Sequence, residues 1–98
     1  MLEELKEDTV AHAGPPPPWN VVFLNDDFTP IDFVTEMLAS YFGKSESEAL
    51  SIALSVHYNG REVAGLYPKE IAEHKCAAAL DLARSMGHPL LVITEKSG

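Results

Sequence analysis

Val21-Val22-Phe23-Leu24-Asn25-Asp26-Asp27-Phe28-Thr29-Pro30 is the stretch on which the reading of this 98-residue chain turns. Its first four residues are an unbroken apolar run and read as a buried strand. Thr29-Pro30 has the form of a helix N-cap followed by the first helical position, where the N–H that proline lacks has no partner to lose. Asn25-Asp26-Asp27 therefore sits where a strand hands over to a helix. Three side-chain acceptors in one short turn suit a partner that is cationic or rich in donors, provided an apolar wall stands beside them. Turn propensity, and the favourable effect of negative charge near a helix start, account for the same residues without any ligand. Thr29 as cap and Asp32 at the third helical position suffice to begin the helix, which leaves Asp26 and Asp27 as a surplus.

Downstream, Phe33-Val34, Met37-Leu38 and Tyr41-Phe42 recur at a spacing of four and predict a helix with one broad apolar face. Gly43 suits its C-terminal cap, and Ser45-Glu46-Ser47-Glu48 has the Ser-x-x-Glu form of a capping box. The second helix that follows carries Leu50, Ala53, Leu54 and His57 on one stripe, which predicts a partly buried His57 near its end. Asn59-Gly60 stops it, and Arg61 to Tyr67 reads as a short strand weakened in its middle by Gly65. Pro68 opens a third helix running to about Met86, with Ala72, Cys76, Ala79, Leu80 and Ala83 on one face, small enough for close packing on a sheet. Gly87 ends that helix, and Pro89 to Thr94 supplies a third strand. The order β-α-α-β-α-β predicts an α+β fold, a small sandwich in which a three-stranded antiparallel sheet is covered by helices on one side.

Upstream, residues 1–18 differ in kind: an acidic piece, Ala13-Gly14, then four prolines from Pro15 to Pro18. Consecutive prolines favour polyproline II and cannot enter a helix interior, so residues 1–18 are expected to form a flexible acidic and Pro-rich arm. Residues 19–98 are expected to form the core domain. A chain this short holds one domain and buries only about 60–65% of its unfolded surface.

Net charge is −8, from fifteen acids against seven bases. That argues against a phosphate-tracking nucleic-acid binder, which gathers Lys and Arg on one face. The first half of the domain is the electronegative half: residues 19–57 hold six acids and one base, residues 58–98 five of each. The single cysteine, Cys76, lies in an apolar helical pattern and reads as a small buried thiol in a reducing compartment. No apolar stretch approaches the roughly 20 residues that span a bilayer, and a cytoplasmic protein without membrane contact is expected. The histidines and carboxylates show no metal-ligand spacing, no cofactor fingerprint appears, and the serines at 45, 47 and 51 sit at a helix start, so neither a metal, a cofactor nor an enzyme is expected.

Val22-Phe23-Leu24-Asn25-Asp26-Asp27-Phe28-Thr29-Pro30, Val56-His57-Tyr58-Asn59-Gly60 and His88-Pro89-Leu90-Leu91, taken together, closely resemble the ClpS family of bacterial adaptors of the ClpAP protease, over residues 19–96. The resemblance implies a fold similar to the C-terminal domain of the ribosomal stalk protein. It implies binding of N-degrons, proteins whose first residue is Leu, Phe, Tyr or Trp, and their delivery to the ClpA unfoldase. Carried over by position, it gives Asn25 and His57 hydrogen bonds to the substrate's α-amino group, with Asp26 or Asp27 acting through water or by charge. It makes Thr29, Ile31, Val34, Ala53, Val56 and Leu90 the pocket for the first side chain. Glu70 and Lys75 match positions that contact the N-terminal domain of ClpA, and the arm matches the family's N-terminal extension. Better-known members carry Met where this chain has Ile31 and Ala53; a stiff branched wall and a missing thioether imply a pocket reshaped beside the second helix. A monomer is expected, since no long uncovered apolar surface is evident. The competing expectations are a stalk-like interaction module with a dead pocket and a metal-dependent binding domain.

Overall fold

The computed structural model describes residues 16–97. Its elements are β1 (Trp19–Leu24), α1 (Ile31–Phe42), α2 (Glu46–Asn59), β2 (Arg61–Tyr67), α3 (Lys69–Ser85) and β3 (Leu91–Lys96), in the order anticipated from the sequence. Residues 1–15, most of the expected arm, lie outside the described residues. Pro16, Pro17 and Pro18 are exposed and belong to no element.

β1 occupies the middle of the sheet, antiparallel to β2 on one side and β3 on the other. Val21, Val22 and Phe23 are all fully buried, and an unbroken apolar run of this kind marks a strand shielded on both faces. Val21 and Phe23 point into the core beneath the helices. Val22 points the other way, between its register partners Val63 and Ile93. Arg61, opposite Leu24, and Glu95, opposite Asn20, project on that same face and meet at 2.6 Å, so their ion pair crosses β1 above Val22.

β2 carries a bulge. Val21 pairs with Gly65 and Val22 with Val63, which leaves Ala64 as the extra residue. Gly65 has a packing reason beyond flexibility: a Cβ there would come within 2.6 Å of the Tyr67 hydroxyl. The Tyr67 ring also lies near Phe42 and under the Lys75 ammonium, so it has little room to move aside.

The helices cover one face. Phe42, last in α1, meets Phe23 edge-on at 5.4 Å, and Met37 and Leu38 are sealed beside it. Full burial of each such side chain stabilises by roughly 1.5–3 kcal/mol, so this side of the sheet carries the core. α3 turns Ala72, Ala79 and Ala83 inward, side chains short enough to bring its backbone close to the strands. Gly43, Gly60 and Gly87 stop the three helices with positive φ angles of 65°, 92° and 80°.

Several expectations are corrected here. The buried stripe of α2 is Ala49, Ala53 and Val56, while Leu50 and His57 are exposed. Apolar residues occur on nearly every side of that helix, so their spacing alone does not fix which face turns inward. β3 starts at Leu91 rather than Pro89 because proline has no N–H for the ladder, and it runs on to Lys96. The face of the sheet away from the helices is also more apolar than anticipated, with Leu66, Leu91 and Ile93 at 54%, 50% and 37% exposure.

Candidate functional site

The turn after β1 is organised by one carboxylate. Asp26 Oδ1 accepts the backbone N–H groups of Phe28 and Thr29, both at 2.8 Å, and the Thr29 hydroxyl at 3.0 Å. Thr29 is therefore not the helix cap. The N-cap is Pro30, in extended conformation and without a side-chain cap, and α1 begins at Ile31. An ionised carboxylate is the stronger acceptor and draws the hydroxyl as donor, so Asp26, read as surplus from the sequence, is the residue that shapes the entry to the helix. Partial burial pushes its carboxyl up; the Thr29 hydroxyl, the Phe28 and Thr29 amides and the charge of His88 outweigh that and hold it below its ordinary value.

The backbone joins this turn to the far end of α2. The Asn25 N–H donates to the Gly60 carbonyl at 2.9 Å, and the Gly60 N–H closes the helix on the Val56 carbonyl at 3.0 Å. His57 is one residue beyond Val56, and Asn25 thereby stands beside the turn of helix that carries it. The exposure of His57 follows from this place at the helix end rather than on the buried stripe.

Between the turn and the helix end lies a small cavity. Asn25, Asp26, Thr29 and His57 form its polar lip. Ile31, Val34, Ala53, Val56 and Leu90 form its apolar floor, together with Leu24, which sequence reasoning missed although it ends the strand beside the turn. Asp27 is the exception among the anticipated residues, for it is exposed and does not line the cavity. The enclosed volume is about 20 Å³, enough for about one water molecule. That volume is smaller than a leucyl or phenyl side chain.

A larger groove of about 220 Å³ opens between α1 and α3, lined by Phe33, Met37, Tyr41, Leu82 and Met86 with Glu36 and Ser40 at its side. Its acceptors, Glu36 and Ser40, both come from one helix, whereas the smaller cavity gathers polar groups from the turn and from the end of α2 and is the better candidate for recognition of a specific group. Of the other anticipated residues, Glu70 is exposed in the first turn of α3. Lys75 is only half exposed: its Nζ donates to the Tyr41 carbonyl at 2.7 Å and lies over the Phe42 and Tyr67 rings at 5.5 and 5.4 Å. It caps the end of α1 instead of standing free on a solvated face. The Cys76 thiol donates to the Val92 carbonyl at 3.2 Å, and burial pushes its pKa up, away from reactivity. Among the described residues no three His, Cys, Asp or Glu side chains gather as metal ligands would, and no helix is long and apolar enough to cross a membrane.

A three-stranded sheet backed by three helices, with a small apolar cavity whose lip presents an imidazole, an amide and a carboxylate, defines a small α+β binding domain. The chain belongs to the ClpS family: the family model described as ATP-dependent Clp protease adaptor protein ClpS matches residues 14–93. The ATP-dependent Clp protease adapter protein ClpS of Shewanella loihica is 41% identical over 96 residues, covering 98% of this chain and 94% of that one. Its counterpart in Deinococcus radiodurans is 47% identical over 77 residues, covering 79% and 68%. The solved structure of Agrobacterium tumefaciens ClpS2 bound to L-phenylalaninamide superposes with a TM-score of 0.81 at 36% identity, over 84% of this chain and 99% of that one.

Proposed function

We propose that this protein is the N-degron adaptor of a ClpA-type unfoldase: it binds proteins through a free N-terminal Leu, Phe, Tyr or Trp and hands them on for degradation in the cytoplasm. The observation that carries this reading is the coincidence of a polar lip and an apolar floor in one cavity. L-phenylalaninamide, the ligand of the Agrobacterium relative, is an α-amine bearing a benzyl group with its carboxyl capped as an amide, the chemistry of a first residue in a chain.

In this reading the substrate's ammonium group, with three donors, meets the Asn25 side-chain oxygen and a ring nitrogen of His57. Asp26 Oδ1 is already occupied by three donors, so Asp26 contributes its negative charge and its second oxygen, directly or through water. Asp27 contributes charge from outside the cavity. The side chain displaces the walls at Thr29, Ile31, Val34, Ala53, Val56 and Leu90, and its burial adds roughly 1.5–3 kcal/mol. An internal residue has no ammonium group and a Gly or Ser terminus has no apolar side chain to bury, so the two halves of the site select together.

Ile31 is stiff at its first torsion and Ala53 is short, so the order of preference among the four side chains is set here by how α1 and α2 part. Glu70 offers its carboxylate to the unfoldase's N-terminal domain, and Lys75 presents an edge of its ammonium while remaining fastened to Tyr41. The adaptor acts as a single chain, neither enzyme nor cofactor carrier.

Fluorescence anisotropy with paired peptides tests the reading. A free-amine Phe or Leu peptide should bind, and its Nα-acetylated twin should not. Binding that survives acetylation, or that depends on added metal, would overturn it.

A further inference from the structure

The C-terminal turn of α2 is the part of the site with the least intrinsic reason to stay in place. The last turn of a helix has unsatisfied carbonyls and frays, yet this one carries His57. Two of its fastenings are backbone bonds, Gly60 N–H to the Val56 carbonyl and Asn25 N–H to the Gly60 carbonyl. The third is made by side chains and reaches across to the sheet. The Ser55 hydroxyl donates to Glu62 Oε1 at 2.6 Å, and Asn59 Nδ2 donates to the Ser55 oxygen at 2.9 Å. The second oxygen of Glu62 accepts the Val63 N–H at 3.1 Å, so the carboxylate is held at both atoms.

Ser55 and Asn59, four residues apart, lie on one side of the helix, and His57, two residues on, points away from that side toward the cavity. Glu62 stands on β2, opposite Phe23 of the central strand. The helix end is thus held from behind by the strand while its front presents the imidazole.

We propose that Ser55, Asn59 and Glu62 form a latch whose work is to set His57 for recognition of the substrate's amine; Ser55 and Glu62 are positioning residues and touch no ligand themselves. The inference rests on the proposed role of His57 in amine binding. A carboxylate with both oxygens engaged is a rigid anchor, and the short donor to Glu62 leaves the final turn little freedom to rotate or unwind. Without it, the imidazole nitrogen samples positions from which it cannot reach an ammonium group also held by Asn25.

The test is a double-mutant cycle on the whole chain. Dissociation constants for a free-amine Phe peptide are measured at 25 °C on variants confirmed as folded by circular dichroism. Glu62→Ala and Ser55→Ala are each expected to weaken binding about fivefold to twentyfold, within the range of couplings between groups in one network. Glu62→Gln, which keeps an oxygen for the Ser55 hydroxyl, should stay within about twofold of the parent. Because the latch acts through His57, Glu62→Ala should add less than about twofold when His57 is already alanine. A loss of general stability would weaken both backgrounds alike, and that outcome overturns the proposal. So does wild-type affinity in Glu62→Ala, or a Glu62→Gln variant as weak as Glu62→Ala, which would make charge rather than the hydrogen bond the cause. Equal binding of free and acetylated peptides by the unmutated chain would instead strike the functional reading itself.

Discussion

At its N-terminal end α1 starts from a turn whose Phe28 and Thr29 amides and Thr29 hydroxyl are drawn together by a single carboxylate; at its C-terminal end it finishes on Phe42, packed against Phe23 and clamped by Lys75. The first end stands beside a small cavity with a polar lip. The second contributes to the core that keeps the helix on the sheet. The polar lip of the cavity and the aromatic packing are thus placed a full helix apart, twelve residues from Ile31 to Phe42, while the cavity floor (Val34, Ala53, Val56, Leu90) shares the core; changes to the lip histidine or to Phe42 should leave the other's property intact.

Truncating the packed end should have the largest effect. Phe42→Ala is expected to cost about 3–5 kcal/mol of stability, read by urea unfolding, while peptide affinity at low denaturant stays unchanged for the molecules that remain folded. The converse substitution is His57→Ala, expected to weaken free-amine peptides at least about tenfold while moving the unfolding free energy by less than about 0.5 kcal/mol. Comparable losses of stability and binding in either variant would break the separation. Lys75→Ala should lower stability by about 1–2 kcal/mol through the lost carbonyl hydrogen bond and ring contacts, again without effect on peptide affinity. This variant also tests partner contact: unfoldase binding undiminished in Lys75→Ala would remove the Lys75 ammonium from that contact.

Within the cavity, Ala53→Met should change relative affinities for Leu, Phe, Tyr and Trp peptides by about threefold to tenfold, the scale of discrimination available to a few methylene groups. Unchanged ratios would remove Ala53 from the determinants of preference. The smallest effect concerns pH. The Asp26 carboxyl is held below its ordinary value in the folded chain, so its contribution to stability is fully present above the unfolded value and is lost as pH falls through the folded one. Asp26→Asn should therefore flatten the acid end of the stability profile, below about pH 4, and leave the neutral region nearly level. For the same reason Asp26 stays charged wherever peptide binding is measured near neutrality, and affinity is expected to weaken above about pH 8 as the substrate's own amine loses its proton.

Much of this was legible in the residues. Strong periodicity placed α1, the alanine face placed α3, and the apolar run placed the central strand, because each is a local pattern with one dominant explanation. α2 was placed correctly as an element and wrongly in rotation: with apolar residues on most sides, tertiary packing chose Ala49, Ala53 and Val56, the small ones that let the helix approach. In that rotation His57 stands exposed rather than partly buried. The part played by Asp26 is hidden for a related reason, since the sequence shows a threonine in a good capping position and does not show that its hydroxyl and amide both donate to a nearby carboxylate. The Ser55–Glu62 latch joins a helix to a strand across the Gly60 turn, and no spacing rule announces it.

β1 is bonded along its whole length to β2 and to β3, and just before it the Pro18 carbonyl accepts the Ser97 N–H at 3.0 Å. Force applied through the residues before Trp19 would therefore arrive at the middle of the sheet rather than at an edge. To draw β1 out along its axis, both ladders would have to shear together, and Val21, Val22 and Phe23 would have to leave sealed positions at the same moment. In mechanical terms a pull on that end is borne by the one strand paired on both sides, so resistance is met at β1 itself.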